Sequence, residues 1–354
     1  MQQRSPSLIL PAIRRGRLRY APAILALSVL GPPAISHAAQ AIARRDAADT
    51  PASVVPVPPG ERGLRTVVAD RPIPIPGIKL VLEGPCFDKA GNLIFSDVQG
   101  SRVIRMDPQG RISTVARLGR FQPGGMAIHR DGRIFIAAGN GAGGGAILAI
   151  KPDGSGLETI VPQTAGFAPN DLVFDKSDGF YFTDARGDAG NLQGGVYYVA
   201  PGAEAPVPVL QHLAVANGIA LSPDGKRLWV GEYGVNRLHR LDLASATTAQ
   251  PFGSVVAYYF TGPAPDSMRV DASGNVYVAI YGQGRVIVFA PSGLPIGQIL
   301  LPDRDAGHHL SLTSMAIRPG TRDLFIVSAD GDGTGATIFR SVAFGLGLPS
   351  REAH

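Results

Sequence analysis

The sequence predicts an all-β protein built as a six-bladed β-propeller. Three observations carry that prediction. The chain of 354 residues holds 45 glycines and 30 prolines with no collagen-like period, a composition suited to short strands joined by tight turns. A pattern of apolar alternation broken by a turn glycine recurs along it, as in "CFDKAGNLIFSDV", "AIHRDGRIFIAAG" and "RVDASGNVYVAIY". The recurrence has a spacing in the forties, with three or four strand-like runs per unit, which is the size of a propeller blade.

The first segment stands apart from the fold. "RRGRLRY" is a basic n-region, "APAILALSVLGPPAI" an apolar stretch of signal-peptide length, and Ser36, His37 and Ala38 place small residues at the outer positions of a cleavage site. Residues 1–38 are therefore expected to be a signal peptide, with an uncleaved anchor as the lesser alternative, and the mature protein periplasmic or secreted, with no membrane association after cleavage. Arg14 and Arg15 hint at a twin-arginine route, although the residues that follow fit that consensus poorly. Of the 33 basic residues, five arginines precede Ala38, where there is no acid; the rest match the 28 acidic residues one for one. The overall net charge of +5 thus belongs to the leader, and gives no case for nucleic-acid binding. A single cysteine, Cys86, rules out an intrachain disulfide and reads as a buried structural thiol. Residues 39–64, rich in Ala and Pro, read as a disordered or extended tether.

The propeller is expected over 65–348. Turn positions fall at Gly91, Gly132, Gly179, Gly225, Gly274 and, without glycine, Thr321, separated by 41, 47, 46, 49 and 47 residues. The sixth unit runs out of chain after its third strand. "LRTVVAD", a strand near 65–70, is expected to supply the fourth and so leave the ring no free edge.

Equivalent positions in successive blades lie on a ring. Eight residues before each turn position (nine in the third unit, which has one extra residue) stand Glu83, Gly124, Asn170, Asn217, Asp266 and Thr313. They fall just before the first, innermost strand, at the mouth of the central channel. Four of the six carry side-chain oxygen donors, the set that hard cations of flexible coordination prefer; Ca²⁺ leads, with Mg²⁺ or Mn²⁺ as alternatives. No His or Cys falls on the ring, which argues against zinc. Asn-Asp, Asn-Gly and Pro-Asp are also turn formers, and any one alone is more often turn chemistry than a ligand. Glu83 escapes that explanation, and independent turns have no reason to share one register. Asp171 and Ser267 follow ring residues and either add ligands or cap the strand. "GNGAGGG" (139–145), outside any strand–glycine–helix setting, reads as a channel-rim loop; His308 and His309 read as surface-loop residues and Tyr281 as packing. No Ser/His/Asp arrangement stands out.

On "LEGPCFDKAGNLIFSDV", "GFYFTDARG", "VANGIALSPDGKRLWVGE", "PDSMRVDASGNVYVAIYGQGRVIVF" and "PIGQILLPDRDAGHHL", the chain resembles the SMP-30/gluconolactonase family over residues 77 to 345, most closely its bacterial drug-responsive lactonases. The resemblance implies a calcium-dependent hydrolase with Glu83, Asn170, Asn217 and Asp266 as ligands, Ser267 as an accessory one, and Asp266 as the catalytic acid/base. Asn170 is an amide where those relatives have an aspartate, which removes one negative charge. An acid expected between the second and third repeats for a further structural ion is not evident.

The function so implied is the opening of a small-molecule lactone. Two rivals stand beside it: phosphotriester hydrolysis on the same site, and a secreted binding propeller whose ion is only structural. Fold alone does not separate them.

Overall fold

A computed structural model describes residues 53–77, 80–330 and 335–350. The expected signal segment and the first part of the expected tether lie outside the described residues. Within them, six sheets follow one another around a ring, and in each repeat the innermost strand comes first: Leu82–Phe87, Gln122–Ile128, Pro169–Phe174, Ala216–Leu221, Pro265–Val270 and Ser311–Ile317. Each innermost strand packs against that of the next blade, and the sixth against the first. The ring is closed, as the six-bladed reading requires.

The apolar half of each strand's alternation is what closes it. Six buried clusters lie between neighbouring blades; that between the sixth and first joins Ile75, Leu82, Phe95, Ile104, Val327 and Ile338. Charged residues collect instead at the hairpins, where Asp88, Asp175 and Asp271 accept backbone N–H groups of the turn that follows. Close approach of the innermost strands demands glycine. A Cβ on Gly84 would sit 2.6 Å from the Gly124 carbonyl oxygen, and Gly84 also has φ +53°.

Ring closure differs from expectation by one strand. The sixth sheet is completed by Asp70–Pro76, paired antiparallel with Gly335–Val342. Arg65–Val68 instead joins the fifth sheet, parallel to Pro295–Leu300, as an additional outer strand. Pro72, Pro74 and Pro76 disguise the closing strand, yet an outermost strand pairs on one side only and tolerates them. Ile73 and Ile75 alternate with the prolines and pack on the core.

The tether also ends earlier than expected. From Ser53 the chain is docked on the fifth blade. Val54 N–H donates to the Asp305 carbonyl at 3.1 Å, and Arg304 donates to the Val55 carbonyl. A 3-10 turn over Pro59–Glu61 buries Glu61, whose carboxylate pairs with the wholly buried Arg285 at 2.5 Å and accepts the Tyr258 hydroxyl. Proline-rich composition marked this segment as unstructured, because one buried glutamate gives no periodic signal.

Candidate metal centre

Each ring position sits at a β-bulge. Register between the first and second strands slips between Glu83 and Cys86, Pro123 and Met126, Pro169 and Leu172, Ala216 and Ile219, Pro265 and Met268, and Leu312 and Ser314. Strict alternation would send consecutive side chains to opposite faces. A bulge relaxes that rule and re-aims one of them. Asp266 and Ser267 accordingly serve one cluster. The Ser267 hydroxyl donates to Glu83 Oε2 at 3.2 Å, and the Gly84 N–H donates to the same oxygen at 3.0 Å. Asp266 accepts a hydrogen bond from the Asn217 side chain and another from the Ser267 N–H.

Hydroxyls and carboxylates one layer out hold this arrangement. Thr183 donates to the Asn217 carbonyl at 2.6 Å, and Thr313 to the Leu82 carbonyl at 2.6 Å. Asp184 accepts the Ala168 N–H and Glu232 the Ala214 N–H, which fixes the loops entering the strands of Asn170 and Asn217. Asp184 and Glu232 are held in turn by Arg186 and His239. These supports have a trace in the sequence, the repeated acid that ends the second strand in "FYFTDA" and "LWVGEY".

Burial dominates the electrostatics. Glu83 is raised to about 7, first by burial and then by the charge of Asp171, against the Gly84 hydrogen bond. Asp266 is pushed well above the usual carboxylate range, first by burial and then by the charge of Glu83. Asp171 is also raised by burial, and is opposed chiefly by Arg269, whose Nη1 lies 3.1 Å from Asp171 Oδ2. Carboxylates crowded in this way resist sharing negative charge without a cation.

The structure therefore brings Glu83, Asn217, Asp266 and Ser267 into one hydrogen-bonded cluster. Asn170 is half-buried, on the register position of the neighbouring blade. Gly124 and Thr313 offer no ligand, as read from the sequence; Thr313 is spent on Leu82. Tyr281 packs, as read from the sequence, against an aromatic neighbour of the cluster. Its ring lies 6.4 Å from that of Tyr233, and the Tyr233 hydroxyl is raised by burial and then by the charge of Asp266. Tyr233 follows Glu232 directly and carried no motif of its own. His309 packs its ring 4.9 Å from Phe339, with Nδ1 3.5 Å from Asp330.

A divalent cation fits the donor set. Every donor is an oxygen, two are carboxylates, and Asn217 Oδ1 is buried without a hydrogen-bond partner. Three or more His, Cys, Asp or Glu in ligating geometry do not occur among the described residues, so a cation held here would need carboxamide oxygens beside the two carboxylates.

Fold and site define a six-bladed propeller with an oxygen-donor ring at one mouth of its channel. The SMP-30/Gluconolactonase/LRE-like family model matches residues 81–330, and the chain belongs to that family. It is 44% identical over 308 residues to a protein named Lactonase drp35 of Staphylococcus saprophyticus, covering 85% of this chain and 95% of that one. Lactonase drp35 of Staphylococcus aureus strain USA300 is 42% identical over 304 residues, covering 84% and 94%. Among solved structures, the calcium-binding protein regucalcin of Agrobacterium tumefaciens matches at TM-score 0.66 and 22% identity, covering 82% of this chain and 99% of that one. A gluconolactonase of Xanthomonas campestris matches at 0.61 and 21%, covering 82% and 95%. These two likenesses concern the fold.

Proposed function

We propose that the protein is a lactonase, an enzyme that hydrolyses a cyclic ester at the channel mouth, dependent on a divalent cation, Ca²⁺ foremost. Glu83, Asn170, Asn217 and Asp266 would hold the cation, with Ser267 as an accessory ligand. The observation that carries this reading is the Glu83–Ser267–Asp266–Asn217 cluster, built at one register of the repeat with an unpartnered buried amide oxygen. Similarity to proteins named lactonases supports the substrate class.

When bound, the cation supplies Lewis-acid polarisation of the lactone carbonyl and stabilises the charge that develops there, typically worth several kcal/mol. Asp266 is the general base. Its carboxylate takes a proton from water as the water oxygen bonds to the carbonyl carbon. It returns that proton to the ring oxygen as the carbon–oxygen bond breaks, leaving a hydroxy acid. Asn217 orients Asp266 through their hydrogen bond, and Ser267 does the same for Glu83. Tyr233 lies within the field of Asp266, and with Tyr281 packed against it would form part of the substrate's wall. The basic-then-apolar N-terminus places this activity outside the cytoplasm in our proposal. N-terminal sequencing of the exported protein is expected to begin near Ala39.

A panel of γ- and δ-lactones and a phosphotriester, assayed with EDTA and after Ca²⁺ is restored, tests the reading. Lactone turnover lost with EDTA and regained with Ca²⁺ is expected. Phosphotriester turnover alone would assign the site to phosphorus esters, and no turnover of either would make the ring a structural ion site.

A further inference from the structure

The register that exposes the ligand ring also exposes the layer beneath it. Three residues after each ring position come Cys86, Ala127, Val173, Ala220, Arg269 and Ala316. Five are small or apolar, and one is an arginine. All but Ala316 border an apolar cavity of about 400 Å³ that is also lined by Phe174, Leu221 and Leu348. Arg269 therefore stands between that cavity and the carboxylates.

Its partner comes from two blades away. Arg269 Nη1 reaches from the fifth blade to Asp171 Oδ2 on the third, at 3.1 Å, and donates to the Met268 carbonyl at 2.7 Å. Arg269 Nη2 is buried with no hydrogen-bond partner among the described residues. Asp171 is fully buried, and its other oxygen accepts the Leu172 N–H at 2.9 Å. It packs against Gly125, where a Cβ would collide with its carboxylate. Both Asp171 oxygens are thus engaged away from the ring, although the residue adjoins ring position Asn170.

We infer that Arg269 is a positioning residue that holds Asp171 out of the ligand set and fixes the charge of the cation site. This rests on the cation reading above. Glu83, Asp171 and Asp266 bring three negative charges, and the guanidinium reduces them to two. That charge balances a divalent ion, and coordination sites of this kind tune affinity by their charge count. Without Arg269 the site carries three negative charges and a freed carboxylate, which favours a trivalent ion. A salt bridge that only filled the channel would not change the preference between ions of different charge.

Calorimetric titration of the folded protein with Ca²⁺ and with La³⁺ tests this. Arg269→Met is expected to raise the La³⁺-to-Ca²⁺ affinity ratio by about tenfold or more, and Asp171→Asn to lower it by a similar factor. The double variant is expected to return to within about threefold of the parent, since its formal charge is again two negative. The double variant has no unpaired buried charge and serves if Arg269→Met fails to fold. A ratio that does not rise from Asp171→Asn to the double variant overturns the inference. Unchanged ratios in every variant of a cation-binding parent overturn the role of Arg269 alone. A parent that binds neither ion overturns the cation site, and this inference with it.

Discussion

Asp266 is where burial, charge and register meet. It sits in a bulge, hydrogen-bonded by Asn217, within the field of Glu83. Replacing it by Asn keeps its shape and removes the base. The expected result is a folded protein whose lactone turnover falls by about 10²- to 10⁴-fold, measured against the parent at saturating Ca²⁺. Glu83 leads to a second expectation, in stability. Its folded value of about 7 lies above the ordinary 4.5, so the cation-free native state binds the extra proton. Stability of that state should fall as pH rises from about 4.5 through about 7, because the folded protein must then surrender the proton. Cation binding needs the ionised carboxylates and releases protons. The gain in melting temperature from saturating Ca²⁺ should therefore grow between pH 5 and pH 7.5, reaching roughly 5 °C or more. A gain that is flat or shrinks over that range would contradict the assignment of Glu83. The register positions themselves were legible from the repeat, since Glu83, Asn217 and Asp266 stand eight residues before their turn glycines and Asn170 nine before its own, in a unit with one extra residue. The bulge was not, because it arises from backbone register and no side chain encodes it. Nor was the Asp171–Arg269 pair, whose members lie 98 residues apart.

At the scale of the element, the N-terminal arm is the instructive case. Alternation and turn glycines foretold the inner three strands of each blade. The same rules misplaced the closing strand, because prolines at alternate positions hide Ile73 and Ile75. They also missed Glu61, since an ion pair buried 224 residues apart in sequence leaves no local pattern. Removing one partner of such a pair strands the other charge in the core. Glu61→Ala is expected to cost about 3 kcal/mol or more in urea unfolding, through the uncompensated Arg285. A loss under about 0.5 kcal/mol would mean that the arm is not docked as described. Deleting residues 1–79 removes Asp70–Pro76 and leaves Gly335–Val342 with an unpaired edge. That truncation is expected to unfold without cooperativity or to aggregate, whereas one beginning at Ala52 should melt like the full chain.

At the scale of the whole molecule, the closed ring gathers side chains of blades one, four and five into one cluster, with Asn170 of blade three at the same register. Four of the six bulges carry oxygen donors at that register, so the fold is the device that assembles the site. Family membership accounts for the scaffold, and the register accounts for the proposed ligands. Asn170, an amide within that set, leaves the site's charge to Glu83, Asp266 and the Asp171–Arg269 pair. The most direct measurement is made on one sample of Asp266→Asn, in which calorimetric Ca²⁺ binding and lactone turnover are read together beside the parent. The account predicts a folded variant that still binds Ca²⁺, with weakened affinity, yet has lost turnover even when saturated. A variant that hydrolyses the lactone at the parent's rate once saturated with Ca²⁺ would contradict it, and reduce Asp266 to a ligand.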